Sequence, residues 1–421
     1  MKLGSLALVP LLIGVLCSAN RFDPALVSFR AGADAALPTG EKPKPALMTG
    51  ADQITAYLPY LKGKRIGMVV NQTSIIGSKP SVDSLVSLGV NIVTVFGPEH
   101  GFRGNASNGA KVDDAVDAKT GIPVVSLYGK NRKPSKEQLA NIDLLIFDIQ
   151  DVGCRFYTYI NTLNHVMEAC AENNKELMIL DRPNPNGFIV DGPILEDHLY
   201  SGIGMHRIPI THGCTIAEFA RMINGEGWGG VAKTKPCKLR IIKMANYTHD
   251  TPYTLPVLPS PNLNTQQSIM LYPSICLFEG TIVSQGRGTH MPFTVLGAPA
   301  LKGKYPFSFK PVSLKGMSET PLHQDTDCYG LDLRNYDTSL FRKTRQLNLK
   351  WMMDLYNAYP DKARFFDMSY SRQMNNFDKL AGTENLKQQI IAGKSEKEIR
   401  QSWEPGLTAY KQMRKKYLIY K

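Results

Sequence analysis

"DLLIFDIQDVGCRFYTYINTLNHVMEACAENNKELMILDRPNPNG", residues 143–187, contains two different hydrophobic periods in succession. The run 143–149 is almost continuously apolar and too short for a globular helix, so it reads as a strand buried on both faces. Phe156, Tyr159, Ile160, Leu163, Val166, Met167 and Cys170 then recur at helical spacing, and 176–181 returns to a short apolar run. Strand, helix, strand of this length is a crossover unit, and a crossover joins parallel strands.

The same alternation continues upstream. "KRIGMVV" (64–70), "NIVTVF" (91–96) and "PVVSLY" (123–128) read as strands, with "SVDSLVSLG" and "KPSKEQLANI" as helices between them. The expected fold class is therefore α/β, a Rossmann-like parallel sheet domain over 51–200. A second, smaller α/β domain over 201–421 is expected to complete a cleft with it. In that second half "TIAEFARMINGEGW" (215–228) reads as a helix and "KLRIIKM" (238–244) as a strand. The segment 251–264 must be loop, because Pro252, Pro256, Pro259 and Pro261 sustain neither a ladder nor a helix. Helices are expected around 348–360 and 395–418, and the basic end "YKQMRKKYLIYK" reads as a solvated helix face.

At 421 residues, with 43% hydrophobic and 20% charged residues, the chain can build a sizeable core and lies outside the disordered class. One Lys, then an apolar stretch from Leu3 to Leu16, then Cys17, Ser18 and Ala19 have the layout of a secretory signal over 1–19. Residues 20–50 read as a linker. The expected location is periplasmic or secreted, with a lipoprotein anchored through Cys17 as the alternative to cleavage near Ala19. No later run is long enough for a transmembrane segment. The six remaining cysteines lack CxxC spacing and read as buried thiols. A formal net charge of +12 suits an anionic polymer, among them a carboxylate-bearing cell-wall glycan. Nothing in the pattern points to a reader of nucleic acid.

Ligands of open parallel sheets bind outside the carboxyl ends of the strands. The residues that follow each strand are then the candidates: Asn71; Glu99, His100 and Arg103; Asp148 and Asp151, with Arg155 just beyond; Asp181, Arg182 and Asn184. A helix cap or an Asx turn explains any one of them alone. Four strands delivering such groups to one edge call for more. Paired carboxyl groups at a cleft suit glycosidic cleavage, where one acid protonates the leaving oxygen and another acts as base or nucleophile. Glu99, between Pro98 and the nearby Phe102, is the preferred acid. From the second half, Glu279 and Arg287 lie in a Gly- and Ser-rich stretch ending at His290, and Arg287 offers a fork for a carboxylate. Asp148, Asp151, Glu99 and His100 would also suit magnesium or calcium, but the reading adopted requires no metal and no cofactor. No G-x-G-x-x-G follows the first strand, and no P-loop or G-x-S-x-G elbow occurs, which argues against a dinucleotide enzyme, an NTPase and an α/β-hydrolase.

"GPEHGFRG" (97–104), "DIQDVGCRFYTYI" (148–160), "DRPNPNG" (181–187), "PSPNLNT" (259–265), "YPSICLFEGTIVSQGRGT" (272–289), "PFTVLGAP" (292–299) and "FDKLAGT" (377–383) together resemble the NamZ-type exo-β-N-acetylmuramidases, a bacterial family long listed as a domain of unknown function. The resemblance covers about residues 50–421. It implies release of N-acetylmuramic acid from the non-reducing end of peptidoglycan fragments, at a site between a Rossmann-like domain and a smaller α/β domain. It carries Glu99 over as the leading carboxyl group, and Asp148, Asp151, Tyr157, Asp181, Arg182, Glu279 and Arg287 as cleft residues. Asp148, Asp151 or Glu279 would partner Glu99, and Arg287, Arg103 or Arg182 would meet the lactyl carboxylate. The competing reading is a cell-wall binding protein that holds muramyl glycans without cleaving them.

Overall fold

The computed structural model describes residues 45–98, 102–103, 115–129, 131–229, 235–372 and 374–420. Residues 46–421 form one compact unit. Its centre is a seven-stranded sheet of β1 (Ile66–Val70), β2 (Ile92–Gly97), β3 (Ala115–Val116), β4 (Pro123–Ser126), β5 (Leu144–Asp148), β6 (Glu176–Leu180) and β7 (Lys238–Ile242). The spatial order is β3-β4-β2-β1-β5-β6-β7. Every pairing is parallel except that of the short edge strand β3 with β4. Leaving β3 aside, the six parallel strands run 3-2-1-4-5-6 in chain order, the doubly wound Rossmann order, whose switch point lies between β1 and β5.

The quoted stretch shows why the sheet is covered on both faces. In β5 the side chains of Leu145 and Phe147 enter one core and those of Leu144 and Ile146 the other, as the two-residue period of a strand requires. Helix α1 (Tyr159–Glu172) closes the first of these faces with Ile160, Leu163 and Val166. Beside it packs α2 (Ile216–Glu226), whose start is fixed by a capping box between Thr215 and Glu218 and whose end is a left-handed Gly227.

The sheet extends past residue 200, where the sequence suggested a division. Strand β7 pairs in register with β6, and α2 packs on the same face. The 238–244 run and the 215–228 helix thus complete the first layer rather than open the second. The remaining chain builds a three-stranded antiparallel sheet from β8 (Val295–Ala298), β9 (Phe307–Phe309) and β10 (Cys328–Asp332), in the order β8-β10-β9. Its largest core gathers α3 (Gln266–Ile275), the small sheet and the C-terminal helices.

The last helix, α4 (Glu396–Lys415), belongs to both halves. Ile399, Trp403 and Leu407 enter the C-terminal core, and Tyr410 enters the sheet core. The basic end is therefore not a free solvated face. The Tyr410 hydroxyl donates to the His212 carbonyl (2.8 Å), Arg414 donates to the Gly213 carbonyl, and the Tyr420 hydroxyl donates to Asp181 (2.7 Å). The six cysteines of the described chain are buried free thiols, as their spacing suggested.

One buried cation joins three segments. Arg155, with 0% of its surface exposed, donates through Nη1 to the carbonyls of Pro193 (2.9 Å) and Ile208 (2.7 Å), and through Nη2 to those of Leu380 (2.9 Å) and Ala381 (2.6 Å). Gly382, at φ +81°, leaves room for it, since a Cβ there would fall 2.4 Å from Nη2. Replacing Arg155 by Met orphans four buried acceptors, each costing about 1–3 kcal/mol, and the desolvation cost of the guanidinium that is removed offsets part of that sum. Urea unfolding of Arg155→Met is expected to show a loss of about 3–5 kcal/mol, and Gly382→Ala a smaller loss of about 1–3 kcal/mol. Unchanged midpoints would show that the guanidinium is not a tie.

Candidate functional site

A cleft of about 400 Å³ opens at the carboxyl edge of the sheet. Its walls come from the segment after β4 (Tyr128, Arg132), the first turn of α1, the loop around Gly202, and the C-terminal half. The chain crosses from β5 into α1 through "DVGCRFYT", so the parallel-sheet geometry delivers this helix start to the cleft. Thr158, Tyr159, Asn161 and Thr162 line it there, and the first turn holds no acid. A helix start of this kind is favourable ground for negative charge and for acceptor atoms.

The floor is aromatic. Tyr157 meets Tyr159 edge-on at 5.0 Å between ring centroids and Tyr272 at 6.0 Å; Tyr272 in turn meets Phe156 at 5.4 Å and Phe293 at 5.0 Å. Such edge-to-face contacts fix ring orientation. The Tyr157 hydroxyl donates to the Pro259 carbonyl (3.0 Å), which holds the proline-rich loop against the cleft, where Ser260 and Asn262 line it.

On this apolar floor stand a few polar groups with fixed geometry. Glu279 accepts from Arg287 Nε (2.9 Å) and Nη2 (2.7 Å) through Oε1, and from Asn375 Nδ2 (2.7 Å) through Oε2. The Asn375 backbone N–H also donates to the Glu279 carbonyl (2.7 Å). Arg287 lies 5.1 Å over the Phe293 ring, within cation–π range. Asn161 and Asn262 are nearly fully buried. Their amide nitrogens donate to the carbonyls of Gly202 (2.8 Å) and Met317 (2.9 Å), and their Oδ1 atoms have no hydrogen-bond partner among the described residues. A buried acceptor without a protein partner is costly to leave unmet, and a water or a ligand hydroxyl or amide N–H suits it.

The structure divides the sequence candidates. Tyr157, Glu279 and Arg287 line the cleft. Glu99 and His100 lie outside the described residues. Asp148, Asp151, Asp181, Arg182, Asn184, Asn71 and His290 are not among the cleft residues. Asp148 and Arg182 form a fully buried pair (2.6 Å), with Arg182 Nη2 donating to the Ile75 carbonyl (2.7 Å). Asp181 accepts from Thr215, Ala217 and Tyr420, fastening the start of α2 and the C-terminus, while burial pushes its pKa up to about 7. Asn71 closes an Asx turn onto Thr73 (2.9 Å to its N–H), and Asn184 bridges Cys214 and Asn186. Arg103 is held by Asp117 (2.7 Å) and Asp83 (3.1 Å), and His290 is exposed. These are local ties of the loops at the sheet edge, the competing explanation for each residue taken singly.

Sequence reasoning missed Asn161, Asn262 and, apart from Tyr157, the aromatic floor. Phe156, Tyr159, Tyr272 and Phe293 were legible only as helix-spaced or loop apolar groups, and nothing in their spacing separates a cleft wall from a core.

Fold and cleft define an α/β protein with a Rossmann-ordered sheet and, on its carboxyl edge, an aromatic-floored pocket of the kind that holds a small polar ligand. The chain belongs to the exo-β-N-acetylmuramidase NamZ family: residues 66–267 match the model of its N-terminal domain and residues 270–420 that of its C-terminal domain. It is 40% identical over 394 residues to the peptidoglycan β-N-acetylmuramidase NamZ of Bacillus subtilis (strain 168), across 90% of this chain and 92% of that protein. Two solved structures of DUF1343 family proteins from Bacteroides fragilis NCTC 9343 resemble it with TM-scores of 0.81 and 0.74, at 43% and 29% identity. They cover 90% and 89% of this chain, and 99% of each of theirs. The family's own division, between 267 and 270, falls after β7, in agreement with the extent of the sheet.

Asp151 supplies a test of the buried edge. Burial pushes its carboxyl up to about 7; its Oδ1 accepts from the Gly153 N–H (2.6 Å) and lies 3.9 Å from His212 Nε2, whose ring burial holds at about 3 and thus neutral. A carboxyl whose folded pKa exceeds its unfolded value stabilises the fold fully below about pH 4 and loses that contribution as pH rises through about 7. Unfolding free energy of the parent is therefore expected to fall between pH 4 and 7 more steeply than that of Asp151→Asn, by up to about 1.4 kcal/mol per pH unit. Urea titrations at three pH values measure the two slopes; equal slopes would rule out the protonated carboxyl.

Proposed function

We propose that this protein is an exo-acting glycoside hydrolase that releases N-acetylmuramic acid from the non-reducing end of peptidoglycan fragments, in cell-wall turnover or recycling. The observation that carries the reading is the cleft itself. In a chain aligned over nine-tenths of its length with a peptidoglycan β-N-acetylmuramidase, the sheet edge holds an aromatic floor, two buried amide acceptors and a fixed Glu279–Arg287–Asn375 group. A sugar presents apolar C–H faces to aromatic rings and hydroxyl and acetamido N–H donors to such acceptors.

Glu99 remains the proposed proton donor, on its motif and its position after β2. Glu279 is the described acid at the cleft. With Arg287 on one oxygen and Asn375 on the other, it is suited to hold the guanidinium in place or to face positive charge developing at the anomeric carbon. Asp148 and Asp151 act from behind the cleft as supports. The leader-like segment 1–19 favours a protein exported to the periplasm or beyond, where such fragments are exposed, with Cys17 as the alternative anchor.

Release of free N-acetylmuramic acid from the purified muramyl-glucosamine disaccharide tests the reading. The parent is expected to release it, and folded Glu99→Gln to lose at least about 10³-fold in kcat, as removal of an essential proton donor does. Glu279→Gln is expected to lose about 10–10³-fold through misplacement of Arg287. Binding of the disaccharide without release by the parent would instead support a glycan-binding protein.

A further inference from the structure

Three arginines offered by the sequence as partners for a substrate carboxylate are each already paired with an acid: Arg103 with Asp83 and Asp117, Arg182 with Asp148, Arg287 with Glu279. Arg155 is fully buried under main-chain carbonyls. Arg132 differs from all of them. It lines the cleft, it is exposed, and among the described residues it forms no ion pair. Its Nε donates to the Gly129 carbonyl (3.3 Å), which leans the side chain along the loop after β4.

The surroundings of Arg132 suit an anion. Nη1 lies against Gly202, where a Cβ would sit 3.4 Å away, so the glycine leaves space beside the guanidinium. The Gly202 carbonyl accepts from Asn161 Nδ2 (2.8 Å), which joins this corner to the acid-free first turn of α1. Across Gly202 from the guanidinium, then, are the start of α1 and Asn161, whose buried Oδ1 has no hydrogen-bond partner among the described residues. A ligand filling the corner would offer a carboxylate to Arg132 and, a few atoms away, an O–H or N–H to Asn161.

We propose that Arg132 is the specificity residue of the cleft, forming the ion pair with the lactyl carboxylate that distinguishes N-acetylmuramic acid from N-acetylglucosamine. The inference rests on the muramidase reading for its substrate but not for its geometry. Arg132 touches the lactyl group rather than the scissile bond, so its effect falls on binding more than on the chemical step. Because the guanidinium is exposed and its removal leaves no buried group without a partner, Arg132→Ala is expected to fold with the parent's unfolding midpoint.

The test compares aryl β-glycosides of N-acetylmuramic acid and of its lactyl amide, which differ in the charge of the lactyl group. For the parent, the carboxylate substrate is expected to have a kcat/KM about 10–100-fold above the amide, carried mainly by KM. Arg132→Ala is expected to lose that factor on the carboxylate substrate and to lose much less on the amide, whose neutral carbonyl accepts a weaker hydrogen bond; Arg132→Lys is expected to recover part of the carboxylate factor. Equal losses on both substrates, or none on either, would overturn the assignment. If the parent cleaves neither glycoside, the muramidase reading fails separately. Calorimetry with free N-acetylmuramic acid and its lactyl amide then decides the question: a preference abolished in Arg132→Ala upholds the assignment, and no preference in the parent overturns it.

Discussion

A guanidinium that forms no ion pair among the described residues organises this molecule. Arg155 stands directly before the aromatic residues of the cleft and gives its hydrogen bonds to carbonyls from 193, 208, 380 and 381. Burial lowers its pKa to about 9, which still leaves it charged at neutral pH. A buried charge is costly unless it is hydrogen-bonded; the four carbonyls satisfy both Nη groups, while Nε has no partner among the described residues, so the three segments must keep their mutual positions. The same segments carry Tyr157 and α1, the Gly202 loop and Asn375, three walls of the cleft.

The second constraint is the closing of the chain on itself. Helix α4 crosses from the C-terminal core to the sheet core, and the end of the chain returns to Asp181 and Glu218, the groups that anchor the start of α2. The C-terminal half is thereby more than a lid on a Rossmann sheet. It supplies Glu279, Arg287 and Asn375 to the cleft and its terminus to the carboxyl ends of β6 and β7 in the same sheet. A polar loop edge that binds a ligand needs such support, because its own contacts are few.

The acidic residues at the strand ends illustrate how one environment yields different roles. Asp148, Asp151 and Asp181 follow buried strands, and each found a partner inside the protein: Arg182, the Gly153 N–H with His212 nearby, and the start of α2. Glu279 comes from outside the sheet and meets Arg287 and Asn375 at the cleft surface. Position at the end of a strand brought the three aspartates to one edge. Depth below that edge separated support from site.

The strand and helix periods of 143–187 were legible because burial on both faces writes a continuous apolar run and a helix writes a 3.6-residue stripe. The parallel Rossmann-like sheet, the free buried thiols and the family follow from residues read in order. The strand 238–242 was legible but its place in the first sheet was not, since pairing of β7 with β6 joins segments about sixty residues apart and leaves no mark on either one's own pattern. The resemblance offered Arg103, Arg182 and Arg287 for a substrate carboxylate, but the sequence did not show that each would meet an acid of the protein itself. Pairing is a matter of distance between segments far apart in the chain, such as Glu279 with Asn375 or Arg155 with Leu380. Only the tertiary structure decides it, because the energy of a charge depends on what surrounds it after folding.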